Sequence, residues 1–238
     1  NLVDAFFITV KVLPILSIKP DIIHFEFAGI ALNYSKCFFL LRRSKIFMSC
    51  RGTDVQIKPI TIKGRKEKLN EIFNKIDRVH CVSNYVKNIC NLYGLNEEKV
   101  FINYPSVDTK YFKSTSENLD KNNIRISIIG RLHWVKGIEF ALIALSLCNN
   151  IKKISKINIV GNGPEEEKIK FFSNDLGLDS LVSIHGFKDS HHIKNIYEQT
   201  DIVLLPSIME GISNTAIEAM SMEKILISSN TCGMPELI

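Results

Sequence analysis

Five short, almost purely apolar runs recur through the second half of the chain, each set between stretches with helical spacing. The runs are 124–129 (IRISII), 156–160 (KINIV), 182–185 (VSIH), 202–205 (IVLL) and 225–228 (ILIS). Runs this short and this continuous predict strands buried on both faces, because a strand with one wet face would alternate. Helices are predicted between them over 138–148, 165–176, 191–199 and 215–222. Strands alternating with helices build a parallel sheet with helices on both sides.

The first half has the same rhythm in looser form. It predicts strands at 22–25, 46–49, 79–83 and 100–103, and helices at 69–76 and 85–93, the second closed by Gly94. Residues 112–123 (FKSTSENLDKNN) are nearly free of apolar side chains and read as a linker. The expected architecture is α/β, with two Rossmann-like parallel-sheet domains at 1–117 and 118–238. There is no internal repeat.

Composition narrows the function. The 238 residues are 45% hydrophobic and 23% charged, enough for one large or two small cores. The net charge of +5 is uneven: residues 1–119 hold 18 Lys and Arg against 11 Asp and Glu, residues 120–238 hold 12 against 14. The basic residues gather at Arg42, Arg43, Lys45 and at Lys63, Arg65, Lys66, Lys68. They predict a solvated face, or, on a sharper reading, peripheral contact with an anionic membrane surface. No aromatic-interleaved basic motif accompanies them, so nucleic acid is not an expected partner. The six cysteines form no CxxC and have no zinc-ligand spacing, so buried free thiols in a reducing, cytoplasmic setting are expected. No stretch of about 18 apolar residues predicts a membrane span.

In a parallel sheet, ligands bind where strand ends lead into helices, so the chemistry belongs in the loops. The first, GRLHWVKG, opens with Gly130 for a sharp turn and carries Arg131 and Lys136 before a helix. Two cations there suit a diphosphate, or are solvated loop charges. The Walker A pattern is absent. The second, GNGPEEE, is explained by a tight turn, proline in the first helical turn and acids at the positive helix end. The third, PSIMEGISNTAIEAM, carries Glu210 and Glu218. They could accept hydrogen bonds from sugar and ribose hydroxyls, with backbone N–H groups of residues 213–216 at an exposed helix start to meet phosphate. Thr215 and Glu218 also have capping-box spacing, in which Glu218 would serve only a backbone amide.

Taken together, GRL-x3-KG, G-x-GP, PS-x2-EG-x6-E with EAM, and the closing GMPELI, in this order, resemble the retaining GT4 family of glycosyltransferases. The resemblance is to bacterial polysaccharide enzymes of the colanic-acid type. It covers about residues 20–238 and is specific in the second half. It implies a GT-B fold with two domains facing a cleft over a nucleotide diphosphate sugar, and a glycan or lipid-linked acceptor. It also implies transfer with retention, and no metal or other cofactor. On this resemblance Arg131 and Lys136 bind the diphosphate, Glu210 contacts the donor sugar and Glu218 the ribose. Gly130, Gly211, Ile212, Ser213 and Asn214 line the donor.

The sequence departs from the family in two ways. Where the family has HG-x-D in its first domain, this chain has CRGTD, so Arg51 replaces the histidine and cannot act as a base. Arg51, Asp54 and His24 are the candidate acceptor-side residues. The chain also begins and stops inside the family pattern, which suggests a fragment with both domains incomplete. A non-catalytic nucleotide-sugar-binding remnant and a GT-B-type epimerase are the alternative readings. A dehydrogenase is disfavoured because no GxGxxG opens either domain.

Overall fold

The computed structural model describes Phe6, residues 8–114 and residues 123–238, in two compact units, Asn1–Tyr104 and Pro105–Ile238. The expected boundary at 117/118 lies outside the described residues, and the units part earlier. The reason is Phe112. Its ring is buried against Tyr197, edge to face at 6.1 Å, and its carbonyl accepts the Ser221 hydroxyl at 2.5 Å. The stretch read as linker therefore begins inside the core of the second unit.

The first unit holds a four-stranded parallel sheet, β1 (Ile22–Phe25), β2 (Lys45–Cys50), β3 (Arg78–Cys81) and β4 (Val100–Ile102), in the order β1-β2-β3-β4. Its helices are α1 (Leu13–Ile18), α2 (Ala28–Tyr34), α3 (Thr53–Gln56), α4 (Lys58–Thr61), α5 (Arg65–Lys75) and α6 (Asn84–Asn91). Met48, Val79, Cys81, Leu69, Ile72 and Phe73 form the centre of its core. Cys37, Cys50, Cys81 and Cys90 are buried free thiols as expected, whereas Cys148 is exposed and Cys232 half-buried.

The second unit holds β5 (Ile124–Ile129), α7 (Ile138–Ser146), β6 (Ile154–Val160), α8 (Glu166–Asp175), β7 (Val182–Ile184), α9 (Ser190–Glu198), β8 (Ile202–Leu205), α10 (Asn214–Ser221) and β9 (Ile225–Ser228). Its five strands are parallel in the order β7-β6-β5-β8-β9. Alternation along β5 explains how one strand serves two cores. Ile126 and Ile128 join Leu142, Ile169 and the α7–α8 side, while Ile129 joins Tyr197, Ala216, Met222 and the α9–α10 side.

A polar clamp fixes the opposite, N-terminal edge of this sheet. Asp201 accepts from the Arg125 amide at 2.8 Å and, bidentately, from its Nε and Nη2 at 3.0 and 2.9 Å, bridging β5 to β8. Burial pushes the Asp201 carboxyl up, but the Arg125 bonds outweigh it and hold the group below its ordinary value of 3.8. Asp201→Ala is expected to cost about 2 kcal/mol at neutral pH, because it removes a charge-assisted cluster and orphans the Arg125 amide. Urea midpoints measure this. A depressed carboxyl stabilises above its unfolded pKa and loses that contribution as pH falls through the folded value. The gap between wild type and variant should therefore narrow in strong acid.

Candidate functional site

The strand order of the second unit locates the site. From β5 the chain steps outward to β6 and β7, then returns to β8 on the other flank of β5. The crevice outside the C-terminal ends of β5 and β8 is thus a topological switch point, where open α/β sheets take their ligands. The two loops that border it, 130–137 and 206–213, are those that carry Arg131, Lys136 and Glu210.

Close backbone approach joins these loops. Gly137 lies at φ 61°, between the turn Trp134–Lys136 and α7, and a Cβ on it would stand 2.2 Å from the Pro206 carbonyl oxygen. The Ile208 amide donates to the Val135 carbonyl at 2.8 Å. On the other flank, a Cβ on Gly161 would stand 1.9 Å from the Gly130 carbonyl oxygen. The Gly-x-Gly of the β6 loop is therefore more than a tight turn: it lets that loop lie directly on the β5 loop, where Leu132 N donates to Asn162 O at 2.9 Å.

Inside this frame Lys136 and Glu210 form an ion pair, Nζ to Oε2 at 2.5 Å, with side chains only 18% and 16% exposed. Ser207 Oγ donates to the same carboxylate oxygen at 3.4 Å. Arg131 is exposed and has no side-chain partner among the described residues. Of the two loop cations expected to suit a diphosphate, Lys136 is paired across the switch point, whereas Arg131 has no side-chain partner among the described residues. The closing segment braces the same loop, Gly233 N donating to Glu210 O at 3.1 Å and Thr231 Oγ1 to Ser207 O at 3.2 Å.

Glu218 does not cap its helix. The N-cap of α10 is Ser213, whose hydroxyl accepts from the Ala216 amide at 3.4 Å. Thr215 Oγ1 instead donates to the Ile129 carbonyl at 3.3 Å. Glu218 lies one turn into α10 and accepts the Tyr197 hydroxyl at 2.9 Å. Burial raises its carboxyl, and the Tyr197 bond partly offsets that rise. Gly211, Ile212, Ser213 and Ala216 are buried, Thr215 is half-buried and Asn214 is exposed, so the expected exposed start at 213–216 is only partly accessible. Beside the β8 loop opens a cavity of about 530 Å³ lined by Phe140, Ala144, Pro206, Ile208 and Ile227 among others. None of its lining residues is a cation, so it does not suit a diphosphate.

In the first unit the three acceptor-side candidates separate. Asp54 is buried, and its carboxylate accepts from the backbone amides of Ala28 at 3.2 Å, Gly52 at 2.9 Å and Arg51 at 3.4 Å. It fixes the β2 loop to the start of α2, and three backbone amides take most of its hydrogen-bonding capacity, so its evident work is to hold backbone. Arg51 pairs with Glu26 and lies over the Phe27 ring at 5.5 Å. His24 Nδ1 is 3.7 Å from the other Glu26 oxygen, and its Nε2 is 2.8 Å from Ser49 Oγ. Ser49 Oγ is in turn 3.0 Å from His80 Nδ1, and His80 Nε2 is 2.9 Å from the Asn103 carbonyl. A carbonyl can only accept. With neutral rings, His80 therefore donates from Nε2, Ser49 donates to His80 Nδ1, and His24 donates from Nε2 to Ser49. The chain of bonds runs across β1, β2 and β3 at the C-terminal edge of their sheet.

Comparison with known proteins gives the family. A profile described as Glycosyl transferases group 1 matches residues 109–238, more than half of the chain. The chain belongs to glycosyl transferases group 1. The WcaL protein of Escherichia coli, named provisionally as a colanic acid biosynthesis glycosyltransferase, is 25% identical over 226 residues, 91% of this chain and 54% of that one. The amylovoran biosynthesis glycosyltransferase AmsK of Erwinia amylovora is 26% identical over 223 residues, with the same shares. The chain thus spans about half the length of these curated relatives. Among solved structures, Anabaena HepE in complex with UDP and glucose superposes with a TM-score of 0.79 at 19% identity, covering 95% of this chain and 64% of that one. A sucrose-phosphate synthase from Thermosynechococcus elongatus gives 0.79 at 17%, covering 95% and 60%. These neighbours show the fold, two Rossmann-like parallel-sheet domains of the GT-B kind.

The family segment contains the whole switch-point site. Reading the sequence singled out Arg131, Lys136, Glu210 and Glu218 as candidates but not Ser207, which stands in the PS-x2-EG motif without an assigned contact, or Tyr197, an apolar-face tyrosine outside every motif. Gly137→Ala is the sharpest test of the frame. It forces a left-handed backbone and a clash with Pro206 together, with an expected cost of about 2–4 kcal/mol in urea unfolding. Exchange of the Ile208 amide should accelerate as the two loops separate.

Proposed function

We propose that this protein acts as a glycosyltransferase, moving a sugar from a nucleotide diphosphate sugar to a glycan or lipid-linked acceptor with retention and without a metal. The observation that carries the reading is the Lys136–Glu210 pair held across the switch point beside an unpartnered Arg131, inside the family segment. A diphosphate arriving at Arg131 offers Lys136 a second anionic partner. Exchange of Lys136 onto phosphate frees the Glu210 carboxylate to accept hydroxyls of the donor sugar. As the glycosidic bond breaks, negative charge collects on the leaving diphosphate, where preorganised Arg131 and Lys136 stabilise it. Glu218 takes the ribose hydroxyls, and Gly130, Gly211, Ile212, Ser213 and Asn214 line the donor. UDP in the HepE complex supports a nucleoside diphosphate as the shared ligand.

On the acceptor side, Arg51 and His24 remain the candidates, with Glu26, Ser49 and His80 fixing their orientation. Peripheral contact with an anionic membrane at the cytoplasmic face is part of the proposal. Its support is the exposed Arg42 and Arg43 near exposed Phe39. Lys45 pairs with Asp77, and Arg65 is partly buried, so neither is a free surface cation. Among the described residues no helix is long and apolar enough to cross a membrane.

Calorimetry with UDP, GDP and ADP tests the donor site. At least one should bind, and Arg131→Ala and Lys136→Ala should each weaken it about tenfold or more, the scale of a lost charge-assisted phosphate contact. Glu210→Gln should spare diphosphate binding while lowering sugar transfer. Wild-type affinity in both cation variants would overturn the assignment.

A further inference from the structure

Tyr197 lies outside every motif, yet among the described residues its hydroxyl is the one side-chain group hydrogen-bonded to Glu218. Its side chain is fully buried, its hydroxyl donates to Glu218 Oε2 at 2.9 Å, and it also lies 3.3 Å from the Thr215 carbonyl. The ring has no freedom to move away. Phe112 packs on it edge to face. Phe112 is itself pinned through its carbonyl to Ser221 on α10, and the neighbouring Tyr111 ring carries Lys194 of α9 at 5.4 Å. The turn before it is closed by Asp108, which accepts from the Lys110 and Tyr111 amides at 2.9 and 3.1 Å. Residues 108–112 therefore act as a wedge that locks α9 against α10.

We infer that Tyr197 is a positioning residue for the donor acid: it holds Glu218 Oε2 and turns Oε1 toward the nucleotide's ribose, with Phe112 as its backstop. The inference rests on the reading of Glu218 as the ribose contact. A carboxylate on a flexible side chain loses affinity each time it must be ordered on binding, and a fixed donor to one oxygen removes that cost beforehand. Burial raises the Glu218 carboxyl, and the Tyr197 hydroxyl opposes that rise. Tyr197 on α9 is the titratable group facing it. Helix α10 carries no second charge, and burial and Tyr197 are the influences that move it. Glu218 in turn raises the already desolvated Tyr197 phenol well above its ordinary value, so the tyrosine stays a donor throughout the working range.

The test is nucleoside diphosphate binding as a function of pH in wild type, Tyr197→Phe, Glu218→Gln and the double variant, using whichever of UDP, GDP or ADP binds the wild-type chain. Tyr197→Phe keeps the ring and should weaken binding about tenfold, the loss expected for one hydrogen bond to a charged group. Its acid limb should move to higher pH, because Glu218 loses the bond that holds its pKa down. Glu218→Gln should abolish the acid limb, and adding Tyr197→Phe to it should change little. A purely structural tyrosine would lower stability without moving the limb. If Tyr197→Phe binds with wild-type affinity and an unmoved limb while Glu218→Gln is impaired, the positioning role is wrong. If Glu218→Gln itself binds like wild type, the ribose reading fails instead. A measurement on the wild-type chain guards against a variant that does not fold: the Tyr197 ¹³Cζ resonance should titrate with the midpoint of the acid limb. A flat resonance would also overturn the inference.

Discussion

The contact between the β5 and β8 loops is the constraint on which the rest of the second unit's site depends. Parallel strands diverge into separate helices at their C-terminal ends, so two neighbouring loops have no intrinsic reason to touch. Here they touch because position 137 has no Cβ and the Pro206 carbonyl occupies that space. Only with the backbones this close can Lys136, from one loop, reach Glu210 from the other. Their separation of 74 residues in sequence makes the pair a direct product of strand order. Shielded ion pairs are poor sources of stability, because desolvation consumes most of the Coulombic gain. The pair is better understood as a poised element, each partner kept ready by the other in a frame rigid enough to hold both.

The legibility of the chain follows from which interactions are local. Strands β5, β8 and β9 have the bounds that their apolar runs predict, but the expected burial on both faces fails for β9, which lies at the sheet edge with Ile225 and Ile227 about half exposed. In the first unit, α2 (Ala28–Tyr34) and the one-turn helices α3 and α4 were not foreseen. They are short and follow residues without side-chain caps, and α2 owes its start to Asp54, twenty-six residues away. The same distance hides the Asp54 contacts. A carboxylate in a glycine-containing loop after a strand looks like a ligand contact, and the three amides around it come into view only with the fold.

Site residues divide in the same way. Arg131, Lys136, Glu210 and Glu218 stand at positions a parallel sheet must bring to one edge, so their order along the chain was enough to single them out. What each one touches was not available, because it depends on contacts between elements. The capping-box reading of Glu218 gives way to Ser213, which sits two residues before Thr215 and takes the N-cap, leaving Glu218 one turn inside the helix. The His24–Ser49–His80 chain crosses three strands, with Ser49 and His80 in register and His24 opposite Phe47, and leaves no linear pattern at all.

Charge balance connects these details. At the switch point the site has one free cation, one neutral pair and one partly shielded acid. A ligand with two negative phosphates close together and hydroxyl groups further out can neutralise Arg131, compete for Lys136, and meet both carboxylates through hydroxyls instead of charges. A ligand with only one of these features cannot do all of this. A bare dianion finds Glu210 and Glu218 repulsive, and a neutral sugar leaves the Lys136–Glu210 pair closed. On the proposed function, the arrangement would select for anionic and polyhydroxylic groups joined in one molecule through the pairing of Lys136 with Glu210 rather than through any single residue.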